Sequence, residues 1–128
     1  MPVSREYQEH VAELLAPLGG VEAKRMFGGA GLFYRDLMFA LIADDVLYFK
    51  VDDETRPAFE AAGVGPFEYD TKNGRRALSG YWRVPDEVLD DGDELVAWGR
   101  RAADVALAAD AAKPKAKRKT GKRKGGER

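Results

Sequence analysis

Reactive side chains are scarce in this sequence of 128 residues. It contains no cysteine, a single histidine, His10, and two serines, Ser4 and Ser79. The absence of cysteine excludes disulfide bonds, thiolate metal sites, iron–sulfur clusters and a catalytic thiol. Nucleophilic catalysis needs a nucleophile, a base and an orienting group in contact, and the sequence has little to supply them. The composition therefore predicts a protein that is not an enzyme and that uses no cofactor or metal.

Long apolar runs are also missing. The longest, residues 37–43, has the length of a strand, whereas a membrane-spanning helix needs about 18 apolar residues. Residues 1–6 lack the apolar centre of a secretion signal. We therefore expect one domain, located in the cytoplasm and without a membrane partner.

The charged side chains are distributed unevenly, although the formal net charge is only −1. Residues 113–128 carry nine Lys or Arg and one Glu, so this segment has a net charge of +8 and residues 1–112 have −9. The basic segment has no large apolar side chain to offset the entropy cost of ordering, about 1–2 kcal/mol per residue. The sequence thus predicts a folded acidic domain over residues 1–112 and a disordered basic tail over residues 113–128.

This density of cations is typical of segments that bind nucleic acid through its phosphates without reading base sequence. We expect non-specific nucleic-acid binding through eight cations of the tail: Lys113, Lys115, Lys117, Arg118, Lys119, Lys122, Arg123 and Lys124. The alternative is a tail that only aids solubility and contacts its own acidic domain weakly.

Hydrophobic periodicity predicts a helix over residues 4–16, with Ser4 as its N-cap. Three strands follow, at residues 32–34, 38–42 and 46–51, and the two-residue turns between them, at 35–36 and 44–45, indicate an antiparallel meander. The middle strand is apolar on both faces, which predicts a central strand covered on both sides.

The second half of the domain begins with a short helix over residues 55–62, for which Thr55 is the predicted N-cap. Strands at residues 67–71 and 77–84 flank Asn73 and Gly74, a typical hairpin turn. A turn over residues 86–91 leads to a helix over residues 93–112, whose predicted seam is Leu95, Trp98, Ala102, Val105 and Ala109.

Gly99 interrupts that last helix and costs about 1 kcal/mol relative to alanine. The element order α-βββ-α-ββ-α places helices and strands in separate blocks. We therefore predict an α+β fold: an antiparallel sheet of about five strands, a meander plus a hairpin, packed with the N-terminal and C-terminal helices.

The glycines at positions 28, 29 and 31 precede a strand, whereas a phosphate-binding loop follows a strand and opens a helix. We predict that they permit a positive φ or a close approach of the backbone. His10 lies at the edge of an apolar stripe, and the acidic clusters lack the spacing of a calcium loop. We therefore predict no catalytic or metal-binding role for them.

Arg75 and Arg76 form a basic pair beside the predicted hairpin turn, near Tyr81 and Trp82. This position suits contact with a phosphate or with a partner protein. The net charge of −9 on the folded domain opposes the approach of nucleic acid at long range.

Several motifs occur in order along the domain: RMFGG at 25–29, GL at 31–32, MFALIA at 38–43, LYFKVD at 47–52, RPAF at 56–59, PF at 66–67 with Tyr69, and YWRVP at 81–85. Together they resemble the N-terminal domain of the TfoX/Sxy family of bacterial competence regulators. The resemblance covers residues 4–110 and implies a small α+β domain whose relatives control DNA uptake together with transcription machinery. It implies no catalytic residue and no cofactor. We expect Phe27, Phe39, Phe49 and Trp82 in the core.

Three functions stay open. The first is a non-enzymatic regulatory or accessory module that docks a transcription-related protein and holds nucleic acid through its tail. The second is a protein–protein interaction domain with a merely solubilising tail. The third, disfavoured by the scarcity of catalytic groups, is a small-molecule-binding domain or hydrolase with an aromatic pocket near Tyr48, Tyr69 and Tyr81.

Overall fold

Six antiparallel strands form one open sheet in a computed structural model that describes residues 5–26 and 29–112. The strands are β1 (Val21–Met26), β2 (Gly29–Tyr34), β3 (Leu37–Ala43), β4 (Val46–Lys50), β5 (Pro66–Thr71) and β6 (Gly74–Arg83), arranged in the order β1-β2-β3-β4-β6-β5. The helices are α1 (Arg5–Leu14), α2 (Arg56–Ala61), α3 (Asp86–Leu89) and α4 (Gly92–Ala112), with a 3₁₀ turn at Ala16–Leu18. The predicted α+β class and antiparallel sheet are confirmed.

The sheet has one strand more than predicted, because β1 precedes the expected meander. Val21–Met26 pair with β2, from Val21 opposite Tyr34 to Met26 opposite Gly29. Along most of this strand partly buried and exposed side chains alternate: Val21 and Ala23 are partly buried, and Glu22 and Lys24 are exposed. The meander therefore has four strands, and two of the three glycines, Gly29 and Gly31, lie within β2.

Two tight turns connect β2 to β3 and β3 to β4, as predicted. Arg35 and Asp36 have φ angles of 52° and 66°, and Asp44 and Asp45 have 53° and 58°. Two successive residues with positive φ are typical of type I′ turns, whose twist matches that of the flanking strands. The sequence has no glycine at these four positions, and aspartate, one of the residues that best tolerates this conformation, occupies three of them.

The helices cover one face of the sheet. α4 crosses β3 and β4, where Phe39 and Phe49 are fully buried and their ring centroids lie 6.4 Å apart. The register of β2 and β3 shifts at Phe39, so that Phe39 and its neighbour Ala40 are both buried. Val11 and Leu15 complete this core from the α1 side.

The predicted core aromatics are correct for Phe39 and Phe49 and only partly correct for Trp82. Trp82 is half-buried, packs against the core and donates its indole N–H to the Ser79 carbonyl at 3.0 Å. It lies opposite Phe49 in the pairing of β4 with β6. Phe27, like Ser4, lies outside the described residues.

Helix boundaries and caps differ in detail from those predicted. Residues 86–91, predicted as a turn, contain the one-turn helix α3. Thr55 precedes α2 but makes no side-chain capping bond; instead the Asp52 carboxylate accepts hydrogen bonds from the backbone N–H of Glu54 and Thr55. The buried seam of α4 includes the small residues Gly99, Ala103 and Ala106, whereas Ala109, predicted in the seam, is exposed. In the part of the chain that the structure describes, no helix is long and apolar enough to span a membrane.

Candidate functional site

The second face of the sheet carries no helix among the described residues. Leu41 pairs with Tyr48, and both alternate with the buried residues Ala40 and Phe49, so their side chains lie on the face opposite the core. Both are half-buried. The prediction that the middle strand is covered on both sides is therefore wrong for this face, which we call the open face.

β5 and β6 form a hairpin that extends beyond the rest of the sheet. Tyr81–Arg83 pair with β4, and Trp82 also pairs with Pro66 at the base of the hairpin, whereas residues 74–78 pair only with β5. All side chains from 68 to 79 are exposed. We call residues 66–79 the arm. A ribbon of two strands has little core of its own, so the arm depends on its turn and on contacts at its base.

The turn of the arm is the one that the sequence predicts. Thr71 pairs with Gly74, and the Thr71 hydroxyl donates to the Gly74 carbonyl at 2.7 Å while accepting from the Asn73 N–H at 3.2 Å. Gly74 has a φ of 112°, which is strained for any residue with a Cβ. The predicted hairpin is confirmed.

Aromatic contacts join the base of the arm to the open face. The Phe67 ring meets the Tyr48 ring edge-on, with centroids 5.0 Å apart, and stacks on the Tyr69 ring at 5.8 Å. Tyr81 is buried, and its hydroxyl donates to the Met38 carbonyl of β3 at 3.2 Å. Because the hydroxyl lies in this buried contact, desolvation raises the pKa of Tyr81 to about 12.

A groove of about 660 Å³ lies between the open face and the arm. Its apolar lining comes from both sides: Met26, Met38 and Leu41 from the sheet, and Phe67, Tyr69 and Leu78 from the arm. Charged residues also line it, namely Asp44, Glu68, Asp70 and Arg75. A concave, mainly apolar surface with a few charged groups is the general form of a binding site.

Gly31 lets the side chains of Met26 and Met38, which line the groove, pack closely over the sheet. A Cβ at this position would lie 2.8 Å from the Met38 sulfur, 3.0 Å from the Phe33 ring and 3.1 Å from the Met26 methyl group. A Cβ at Gly29 would collide with the backbone carbonyl of Ile42. These two glycines therefore serve close approach, one of the two predicted roles, and neither has a positive φ.

Arg75, one of the two predicted phosphate or partner contacts, is held by carboxylates of the neighbouring strand. Its guanidinium lies 2.7 Å from an Asp70 oxygen and 3.2 Å from a Glu68 oxygen. Hydrogen bonds to Asp70 and then Glu68 raise the pKa of Arg75. Any phosphate would have to compete with both carboxylates. Arg76 is exposed on the arm opposite Tyr69.

The other predicted groups are separate from the groove. His10 is exposed on α1 beside Glu6, Glu9 and Glu13. Within residues 5–26 and 29–112, no cluster of three or more His, Asp or Glu is arranged to hold a metal ion. The cations of the predicted tail, at positions 113–124, lie outside the described residues, so their role stays a prediction.

The sequence contained only part of the signal for the groove. Of the aromatic pocket predicted near Tyr48, Tyr69 and Tyr81, Tyr69 lines the groove and Tyr48 supports Phe67, whereas Tyr81 anchors β6. Met26 and Met38 were not predicted as site residues. In the sequence, Phe67 and Tyr69 alternate with Glu68 and Asp70, which gives β5 one aromatic and one acidic face. This alternation is the sequence pattern that indicates a binding surface on β5.

Comparison with known proteins gives a family match over most of the described chain. The model of the family described as TfoX N-terminal domain matches residues 13–106. This range includes the groove, the arm and most of α4.

Two curated relatives align with the same region. The DNA transformation protein TfoX of Haemophilus influenzae is 32% identical over 91 residues, which are 70% of this chain and 42% of that protein. The DNA transformation protein TfoX1 of Aliivibrio fischeri is 36% identical over 62 residues, which are 48% of this chain and 30% of that protein. The aligned part of the chain thus spans less than half the length of either relative.

Proposed function

Because this chain belongs to the TfoX N-terminal domain family, we propose that it is a non-enzymatic accessory module in the control of DNA transformation. In this proposal the folded domain docks a transcription-related partner protein in the cytoplasm, and the basic tail holds nucleic acid. The observation that carries it is the family match over residues 13–106, which extends to relatives named as DNA transformation proteins.

The geometry of the described residues supports binding in preference to catalysis. The described residues form a concave apolar groove, and of the charged residues that line it, Arg75 pairs with Glu68 and Asp70. Burial raises the pKa of three described tyrosines, Tyr7, Tyr48 and Tyr81. A raised pKa keeps the hydroxyl protonated, so these side chains are poor bases.

The composition of residues 113–128 supports the proposed role of the tail, since this segment contains nine basic residues and only one acidic residue. A tail that neutralises several phosphates releases counterions, so the affinity should fall steeply with salt. For a duplex we expect a log–log slope on the order of −4 to −7.

A salt titration of a fluorescent DNA duplex tests this role. Three proteins are compared by fluorescence anisotropy: the full chain, a chain ending at Ala112, and a full-length variant in which the eight predicted cations, Lys113 to Lys124, are glutamine. The second and third should lose binding. A chain ending at Ala112 that binds the duplex as tightly as the full chain at the same salt would contradict the proposal.

A small-molecule-binding role is the second candidate, and the volume of the groove favours it. At about 660 Å³ the groove falls within the range of about 300–1,000 Å³ that ligand pockets occupy. A panel of metabolites screened by thermal unfolding tests this role, because a ligand at 100 times its dissociation constant adds about 2.7 kcal/mol of stability. A compound that stabilises the wild type and not a Leu78→Ser variant would support it.

A further inference from the structure

Exposed apolar surface is concentrated at one place in the part of the chain that the structure describes. Two large apolar side chains are exposed there, Tyr69 at 41% and Leu78 at 39%, and both line the groove. Met26 and Met38, which are all the methionines of the sequence except Met1, line it too. Methionine side chains are flexible and polarizable, and they are frequent at surfaces that adapt to a bound partner.

The apolar surface continues outward from the concave part of the groove. Tyr69 stacks on Phe67 along the edge strand β5, and Leu78 lies opposite Phe67 on β6. A small molecule seated against Met38 and Leu41 would leave the exposed parts of Tyr69 and Leu78 in water. A ligand several residues long would cover both regions. The extent of the surface therefore favours a peptide segment over a metabolite.

The charge around the groove restricts the chemistry of that segment. Three carboxylates, Asp44, Glu68 and Asp70, and one cation, Arg75, line it. Arg75 is already paired with Glu68 and Asp70, whose side chains remain 50% and 82% exposed. The charged side chains that line the groove are therefore net acidic and favour cationic groups beside the apolar contact.

Two occupants from the chain itself fit poorly. A second copy placed symmetrically on the groove would bring its own Glu68 and Asp70 towards this acidic rim, and like charges across an interface are repulsive. The segment 113–128 has the required cations but contains no large apolar side chain, so it has nothing to cover Met38, Leu41 or Leu78.

We propose that the groove between the arm and the open face binds a short segment of a partner protein in which large apolar side chains are flanked by Lys or Arg. This inference rests on the proposed docking function and specifies its surface and its partner. The apolar side chains contact Met26, Met38, Leu41 and Leu78, and the flanking cations lie near Glu68 and Asp70.

Selection from a random library of 12-residue peptides displayed on phage tests the inference with the full chain as target. The enriched peptides are synthesised and their affinities measured by fluorescence anisotropy for the wild type and for Tyr69→Ser, Leu78→Ser and Ala77→Ser. Ala77→Ser is the matched control, since Ala77 is exposed on the same strand as Leu78 and is not among the residues that line the groove. Urea unfolding verifies that each variant is folded.

The expected peptides combine large apolar residues with Lys or Arg, and Tyr69→Ser and Leu78→Ser weaken their binding by about tenfold or more, a loss typical of contacts at the centre of an interface. Ala77→Ser leaves the affinity within about twofold of wild type, as a side chain outside the lining of the groove should. Substituting glutamate for the basic residues of a peptide abolishes its binding.

Each other outcome overturns the inference in a recognisable way. Peptides that bind Leu78→Ser as tightly as wild type would place docking elsewhere, which removes the groove but leaves the proposed docking function in place. Enrichment of acidic peptides would contradict the proposed charge complementarity. A dimer seen in sedimentation velocity that Leu78→Ser dissociates would make a second copy the occupant. If no peptide is enriched, both the groove and the docking function fail.

Discussion

At the scale of single residues, three glycines determine how closely neighbouring elements approach. Gly29 lies against the backbone of Ile42, Gly31 lies beneath Met26 and Met38, and Gly99 brings α4 against Leu15. The sequence shows Gly99 as a helix interruption with an energetic cost, whereas the structure shows the packing that requires it. A Cβ at Gly99 would lie 2.9 Å from a Leu15 methyl group and 3.4 Å from the Phe49 ring.

Replacing Gly99 with alanine should therefore destabilise the domain. Alanine improves helix propensity by about 1 kcal/mol, but overpacking a buried site typically costs about 1–3 kcal/mol. Leu15 and Phe49 are fully buried and have little room to move, so we expect a net loss of about 1 kcal/mol in urea unfolding.

Gly92→Ala is the control for this prediction. Gly92 begins the same helix, and a Cβ there meets no atom within 4 Å. This variant should unfold at or above the urea concentration of the wild type. A Gly99→Ala protein as stable as Gly92→Ala would show that the α4 interface is looser than described.

Because of Tyr81, the stability of the domain should decrease at alkaline pH. Burial raises the pKa of Tyr81 from 10.0 to about 12 in the folded state. Above pH 10 the unfolded chain therefore loses the Tyr81 proton more readily than the folded chain, so the free energy of unfolding falls between pH 10 and 12. Tyr81→Phe also removes the hydrogen bond to Met38 and should cost about 1 kcal/mol at pH 8.

Urea unfolding at pH 8 and pH 11 measures this effect. The wild type should lose more stability between the two values than Tyr81→Phe. Tyr69→Phe, at an exposed side chain, is the control and should keep the wild-type loss. Equal losses in wild type and Tyr81→Phe would contradict the assignment of this pH dependence to Tyr81.

At the scale of elements, the arm is the least supported part of the described domain. Its residues 67–78 pair only within the hairpin, and the side chains from 68 to 79 are exposed. Elements with few buried contacts open locally at lower free energy than the core. We therefore expect faster amide hydrogen exchange in the arm than in β3 and β4.

Gly74→Ala should weaken the arm without weakening the core. At a φ of 112° alanine is strained, and a substitution incompatible with the native backbone costs more than about 1 kcal/mol. Amide exchange in residues 67–78 should become about fivefold faster or more, while β3 and β4 keep their protection. Gly80→Ala is the control, because Gly80 lies on the same strand with no atom near its missing Cβ and no positive φ. Uniform loss of protection across the sheet would show that the arm unfolds only with the whole domain.

Elements were predictable from sequence where a local rule determined them. Asp44–Asp45 and Asn73–Gly74 mark turns by their own chemistry, and the apolar stripe of α1 identifies the buried residues Val11 and Leu15. β1 is not predicted from the sequence, although its side chains partly alternate between exposed and buried, because the adjacent glycines indicate only the entry into the next strand. Their close approach to Ile42 and Met38 depends on residues distant in sequence.

The groove could not be predicted for the same reason. It depends on how the arm lies relative to the open face, and this is determined by contacts such as Phe67 with Tyr48 and Tyr81 with Met38. The alternation of aromatic and acidic residues in β5 can be read from the sequence, but the surface that β5 approaches cannot.

At the scale of the whole molecule, charge and apolar surface are separated along the chain. The described domain bears the apolar groove, and the predicted tail bears nine of the 21 basic residues within its 16 positions. This separation underlies our proposal that the folded domain docks a protein and that the tail alone holds nucleic acid. The domain's net charge of −9 should keep DNA away from the groove and from Arg75.

An NMR titration of the full chain with a DNA duplex tests that claim most directly, because it reports on every backbone amide at once. We predict that resonances of residues 113–128 shift or broaden as DNA is added, while those of the arm and the sheet, including Arg75 and Arg76, stay unchanged. Shifts centred on the arm or the open face, with the resonances of residues 113–128 unaffected, would contradict it.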